Sequence, residues 1–329
     1  MTAIAPHITA FLRERLPRQR GASEHTCQSY AYAFQLLFLY ASERFSVNPS
    51  ALELEQLDAP LIMDFLEQLE TQRGNMASTR NARLAAIKSF MRFCEYREPA
   101  ILDQSRRILA IPFKRTDIAL IDHLSTAEMA AILNAPDPTV RAGVRDRAML
   151  HLCYSAGLRV SELVGLPLAA VELQSSPSIL VRGKGRRERC LPLWKQAATD
   201  LRAWLALRGE ASAPELFLNA RGQPMTRSGF EYVLRKHVRT ASEHCRSLKR
   251  KRVSPHVLRH SCAMMILQAT GDLRKVSLWL GHADMQTTEV YLRADPTDKL
   301  EAIEAIIPPA LKRGRFTVPD KLIESLRRG

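Results

Sequence analysis

The 329-residue sequence is short of aromatics, which make up 6% of it, has no CxxC pair, and contains neither an internal repeat nor a low-complexity tract. So few rings argue against a base-stacking platform of the kind that grips single strands. The six cysteines, Cys27, Cys94, Cys153, Cys190, Cys245 and Cys262, are scattered, and four fall in apolar stretches where a free thiol serves as a small hydrophobe. Reduced thiols, with neither disulfides nor a zinc site, are the expectation. No apolar run approaches the ~18 residues of a membrane span, and Pro6, His7 and Arg13 interrupt the N-terminus where a signal peptide would carry its apolar core. Those absences predict a soluble cytoplasmic protein without a membrane partner.

What the chain has in excess is positive charge. Lysine and arginine number 48 against 34 aspartates and glutamates, a net +14, which points to a polyanionic partner. With aromatics scarce, duplex nucleic acid held through phosphates and grooves fits better than a single strand. The length exceeds what one core usually fills and suits two domains.

The first hundred residues read as short amphipathic helices, apolar residues recurring every three or four positions. Cys27, Tyr30, Phe34, Leu37, Phe38 and Ala41 form one stripe after Ser23; Asp58 and Pro60 open a second segment, with Leu61, Phe65 and Leu69; Ser78 precedes a third, with Leu84, Ile87, Met91 and Cys94. From Arg97 to about Asp122 the periodicity lapses, and Arg106, Arg107, Lys114 and Arg115 surround Pro112 in what reads as an extended basic connector, either lying along DNA or simply solvated. A second domain opens at Ser125, where Glu128 completes a capping box. Its next helix runs from about Val140 to Tyr154 and stops at Gly157, and Ser178 to Leu193 suggests a β-hairpin around Gly183-Lys184-Gly185. Beyond it the pattern is helical again.

Several residues carry chemistry. Arg159, directly after a helix-ending glycine, would set a guanidinium near the start of the next helix, where an oxyanion can bind, though the same residue also reads as an ordinary surface arginine. Lys184 sits at the hairpin tip beside Arg182, Arg186, Arg187 and Arg189, without the spacing of a phosphate-binding P-loop. It either reaches a DNA groove and gives a proton to a leaving oxygen or is a solvated turn residue. His256 and Arg259, one helical turn apart behind Pro255, can converge on one phosphate. His260 makes a histidine pair with His256, but no glutamate follows His256 and no third ligand stands at useful spacing, so no metal is expected. His282 follows Gly281, and Tyr291 comes nine residues later. A second basic run, Arg246, Lys249, Arg250, Lys251 and Arg252, either grips backbone phosphates or is a solvated loop.

Taken together, the Gly157-Leu158-Arg159-Val160-Ser161-Glu162-Leu163 block, the hairpin lysine, His256-x-x-Arg259, Leu280-Gly281-His282 and the late Tyr291 resemble the tyrosine recombinases, or phage integrases, in the family's order, and within them the two-domain Xer-like type. The resemblance covers roughly residues 8 to 300. It implies a mainly α fold with a small β-sheet or hairpin in the catalytic domain, arranged as a two-domain clamp on DNA. Residues 1–100 would be a helical, SAM-like core-binding domain, 101–121 a basic linker, 122–308 the catalytic domain and 309–329 a basic tail, with Asp298 to Ile307 like the family's short docking helix. It further implies that Tyr291 attacks the scissile phosphate while Arg159 and Arg259 hold its nonbridging oxygens. Lys184 would protonate the leaving oxygen, His256 act as acid or base, and His282 donate a hydrogen bond. No cofactor and no ATP are implied. The partners would be duplex DNA in the nucleoid and further copies of the chain, a tetramer on two sites, with room for an accessory or partner recombinase. The cations around Tyr291 are expected to bring its ionised form within easier reach. A type IB topoisomerase, a telomere resolvase or a noncatalytic DNA-binding protein with the same fold are the competing readings.

Overall fold

The computed structural model describes residues 2–116, 121–183, 188–209, 212–281 and 286–294. The chain divides into two compact units, Met1–Ile118 and Ala119–Gly329.

The first unit is helical. Helix α1 (Ile4–Ala10) runs into a π-helical stretch, Phe11–Gln19, and is followed by α2 (Glu24–Phe45), α3 (Ala59–Thr71), α4 (Ala77–Cys94) and α5 (Leu102–Ala110). Local chemistry sets the starts: Ser23 Oγ accepts from the Thr26 N–H, and Asp58 accepts from the Leu61 N–H ahead of Pro60. The apolar stripes meet in a core centred on Phe11, whose ring lies 5.4 Å from those of Phe90 and Phe93 and 6.1 Å from that of Phe34.

The expected connector from Arg97 onward is corrected over its first part. Residues 102–110 are helical, with Ile101, Ser105 and Ile108 turned into the core, and Gln104 Nε2 donates to the carbonyls of Leu54 and Leu57 at 2.7 and 2.8 Å. The segment beyond is tied to α4. Lys88 Nζ donates to the carbonyls of Leu109 and Ile111 at 2.8 and 2.5 Å, Arg80 Nη1 to that of Pro112 at 2.9 Å. The Asn81 side chain pairs with the Lys114 backbone in both directions, at 2.8 and 3.0 Å.

The second unit packs around α7 (Arg141–Ser155), whose last eight residues are all buried. Helix α6 (Thr126–Asn134) starts in the Ser125/Glu128 capping box. A short α8 (Val160–Val164) leads to an antiparallel sheet of β1 (Val171–Glu172), β2 (Ser178–Arg182) and β3 (Glu188–Pro192), in that order, with Ile179 opposite Leu191 and Val181 opposite Arg189. Strand β1 was not legible in the sequence. Helices α9 (Lys195–Arg208), α10 (Arg227–His244), α11 (Pro255–Thr270), α12 (Leu273–Leu280) and α13 (Gln286–Ala294) complete the unit. All six cysteines are free thiols, and among the described residues no helix is long and apolar enough to cross a membrane. The sequence-predicted docking helix, Asp298 to Ile307, and the basic tail lie outside the described residues.

All three tryptophans, Trp194, Trp204 and Trp279, belong to the second unit, so the two cores can be followed separately. Phe11→Ala should cost about 3–5 kcal/mol by opening a cavity among four rings. In urea the circular-dichroism transition should move to lower denaturant while the tryptophan-fluorescence midpoint stays. Movement of both together would contradict independent cores.

Candidate active site

The site is built on two glycine turns and a buried carboxylate. Helix α7 ends at Gly157, φ +57°, where an added Cβ would come within 2.6 Å of Leu280 Cδ2, so both the backbone conformation and the space require glycine. The chain then presents Arg159 as the residue capping α8. One turn on, Glu162 is 5% exposed at its side chain, and its carboxylate accepts from the Arg159 N–H at 3.0 Å and from Arg159 Nη1 at 2.8 Å. From β3, Arg189 reaches the same carboxylate with both terminal nitrogens, at 3.2 and 2.8 Å. Arg259, on α11, lies 3.9 Å from it.

Arg259 is 4% exposed. Its Nη2 donates to the Leu280 carbonyl at 2.7 Å and its Nη1 to the Gly157 carbonyl, which fastens the Gly157 turn to the one at Gly281, φ +64°. Burial and the charge of Arg159 lower its pKa to about 10, which leaves it protonated at neutral pH. Burial alone would raise the Glu162 pKa. The hydrogen bond and charge of Arg189 and the N–H of Arg159 outweigh it and hold the carboxyl below its ordinary range. One carboxylate thus faces three guanidiniums, a local excess of two positive charges in a poorly solvated place, which suits a dianionic or developing oxyanion.

Ser254 caps α11, its Oγ accepting from the Val257 N–H, with Pro255 in the first turn. His256 is exposed on this helix while Arg259 points inward, so their shared face is split between solvent and site. His260 turns toward α13, where its Nδ1 stands 3.0 Å from the Tyr291 hydroxyl. The His256 and His260 rings are stacked at 6.4 Å. His260 thus meets a phenol, and among the described residues no three His, Cys, Asp or Glu side chains are grouped so as to hold a metal ion.

Tyr291 is 2% exposed. Burial raises its pKa to about 12, against the opposing charges of Arg259 and Arg159. The expectation that cations would ease its ionisation is corrected in the net: both guanidiniums act on the phenol, but desolvation wins. Burial and the charges of His256 and Arg259 push His260 down to about 4.

Lys184 and His282, and with them Arg186 and Arg187, lie outside the described residues. Arg159, Arg259 and Tyr291 are brought together. Of the other basic residues, Arg182 is exposed and paired with Glu188 at 2.7 Å, Arg107 with Asp103 at 2.9 Å and Lys114 with Glu70 at 2.7 Å, while Arg106 and Arg115 are exposed. Arg246, Lys249, Arg250 and Arg252 are exposed. Lys251 differs: its Nζ donates to Glu128 at 2.7 Å and to the His123 carbonyl at 3.0 Å, and with Ser247 it offsets burial to hold Glu128 at about 2. Sequence reasoning missed Glu162, Arg189 and His260 as members of the site. The alternation in β3 carried a signal for Arg189, which shares the inward face with Leu191.

The Phage integrase family model matches residues 122–298, and that of the phage integrase N-terminal SAM-like domain matches residues 8–98. A Sinorhizobium fredii protein named as an integrase/recombinase, y4rC, is 40% identical over 324 residues, 98% of either chain. Tyrosine recombinase XerC of Myxococcus xanthus is 35% identical over 299 residues, 88% of this chain and 94% of its own. Among solved structures, the XerH site-specific recombinase bound to palindromic difH substrate in a post-cleavage complex superposes with a TM-score of 0.67 at 23% identity, covering 89% of this chain and 83% of that one, which is a likeness of fold.

Two outcomes follow from the electrostatics. Glu162→Gln leaves three guanidiniums facing one another and should destabilise the second unit by about 3–5 kcal/mol, read from the urea midpoint of tryptophan fluorescence. An unchanged midpoint would show that the carboxylate is not what holds them. His260 in the folded chain titrates near 4, below its ordinary 6.5, so between those values only the unfolded chain takes up the proton. Stability should therefore fall as pH drops from 6.5 to 4, by about 2–3 kcal/mol after allowing for partial exposure, and His260→Asn should flatten that slope.

Proposed function

The chain belongs to the phage integrase family, the tyrosine recombinases, and we propose that it is a site-specific recombinase that cuts and rejoins duplex DNA through a 3′-phosphotyrosyl intermediate. The observation that carries the reading is the convergence of Arg159, Arg259 and Tyr291 from separate chain segments: the two guanidiniums share the Glu162 carboxylate, and both charges act on the phenol.

In this scheme the scissile phosphate takes its place beside Glu162, its nonbridging oxygens accepting from Arg159 and Arg259. Guanidinium suits the task because it stays protonated and offers two parallel donors. The Tyr291 oxygen bonds to phosphorus, the bond to the 5′ oxygen breaks, and the leaving oxygen takes a proton from Lys184. His256 serves as acid or base near the phosphate, and His282 donates to it. The 5′ hydroxyl of a second duplex then attacks the phosphotyrosine and reverses the step. That exchange of one ester for another is nearly isoenergetic, so rejoining consumes no nucleotide.

The first unit is the core-binding half of a clamp on DNA, with the basic segment after Ile111 serving as the linker. The working assembly is a tetramer of this chain on two sites, in the nucleoid. Arg106, Arg115, Arg182, Arg246, Lys249, Arg250 and Arg252 are solvent-facing and fit contacts to flanking phosphates. Arg107 and Lys114 would first leave Asp103 and Glu70, and Lys251 supports Glu128.

The protein should form an adduct resistant to denaturing detergent with a library of nicked duplexes of randomised centre. Tyr291→Phe should abolish the adduct while DNA binding persists, and Arg159→Lys or Arg259→Lys should slow it by about 10²–10³, the scale of losing one preorganised donor. An adduct that survives Tyr291→Phe would overturn the assignment.

A further inference from the structure

Tyr291 cannot form a bond to phosphorus without losing its proton, and among the described residues His260 stands within hydrogen-bond reach of that proton, with Nδ1 3.0 Å from the hydroxyl and the rings 5.7 Å apart at 59°. His256, by contrast, stands on the solvent side of α11, its ring 6.4 Å from that of His260. Sequence spacing alone made His260 half of an abandoned metal pair. Helix geometry gives it another use: as the residue after Arg259 it projects about 100° away around α11, so that the guanidinium faces the glycine turns while the imidazole faces α13.

We propose that His260 is a catalytic residue of strand cleavage, the acceptor to which the Tyr291 phenolic proton passes as the phenolic oxygen bonds to phosphorus. The inference rests on the reading of Tyr291 as nucleophile. In the step, the Tyr291 oxygen gains the bond to phosphorus and its proton moves to His260 Nδ1. The bond from phosphorus to the 5′ oxygen breaks, and that oxygen takes its proton from a different group, Lys184. Rejoining runs the same transfer backwards: His260 returns the proton as the phenol departs.

The environment suits the role. An imidazole can accept only while neutral, and burial with the neighbouring charges of His256 and Arg259 keeps His260 neutral down to about pH 4. The role requires the tautomer with hydrogen on Nε2. With burial raising the phenol's pKa and lowering the imidazole's, transfer ahead of bond formation is strongly uphill. The proton therefore moves with the forming bond, when the oxygen's acidity rises steeply, which is general-base catalysis of the attack and not prior ionisation.

The test compares His260→Phe, which keeps a ring but no acceptor, with His260→Asn, whose amide oxygen occupies about the position of Nδ1. Both are assayed on nicked duplexes selected from the randomised library by the wild-type protein, and again on the same duplexes with sulfur bridging at the 5′ position. A thiolate leaves without a proton, so sulfur relieves a defect on the leaving side and not on the attacking side. The expectation is a cleavage rate about 10² lower for His260→Phe, the low end for a lost proton acceptor. Neither Asn, which accepts a hydrogen bond but not a proton, nor sulfur should restore it, and DNA affinity should be unchanged. Cleavage by His260→Phe at the wild-type rate overturns the inference, as does faster cleavage, which would make the contact a restraint, or rescue by sulfur, which would move His260 to the leaving side. These outcomes leave the recombinase reading intact when the wild type forms an adduct and Tyr291→Phe does not. No wild-type adduct on any duplex overturns both.

Discussion

The site depends on holding three like charges within reach of one carboxylate. Arg159, Arg189 and Arg259 come from a helix cap, a strand and a buried helix, and without Glu162 their mutual repulsion would open the space between α8, β3 and α11. With it, two of the three guanidiniums make short hydrogen-bonded pairs and the third is steered by two backbone carbonyls. A phosphodiester, with its single negative charge, would neutralise half of the surplus and its more highly charged transition state the rest, so the repulsion is relieved only when an anion is present. Glycine at 157 and 281 is part of the same constraint, because the left-handed turns bring both carbonyl-bearing segments up to Arg259.

Burial of Tyr291 gives the nucleophile a second level of control. A phenol near pKa 12, hydrogen-bonded to a neutral imidazole, is unreactive until something else stabilises charge at its oxygen. The charges of Arg159 and Arg259 act on the phenol but do not by themselves overcome its burial. Reactivity is thus conditional on substrate, which fits an enzyme that must not attack phosphates at random.

Much of this was legible in the chain. The caps at Asp58 and Ser125, the first-turn Pro255, the stop at Gly157 and the hairpin were readable because each rests on a local rule about backbone groups or φ. Helix α5 was hidden because its inner face is interrupted by Ser105 and its outer face carries Arg106 and Arg107, so a packed helix looked like a charged run. Lys251 was indistinguishable from its basic neighbours until Glu128, far away in sequence, was seen against it. Glu162 and His260 were present in the recognised motifs, but a carboxylate on a short helix usually faces solvent and a second histidine suggests a metal. Only tertiary contact assigns them. The direction of the Tyr291 shift failed for the same reason: charges can be counted in a sequence, whereas desolvation cannot.

The most direct measurement is mass-spectrometric mapping of the peptide that remains attached to DNA after wild-type protein is trapped on a nicked duplex and digested. The result expected is a nucleotide joined through its 3′ phosphate to the oxygen of Tyr291, on a peptide bearing no other modification. Attachment at another residue, or through a 5′ phosphate, would contradict the chemistry derived from this arrangement of side chains.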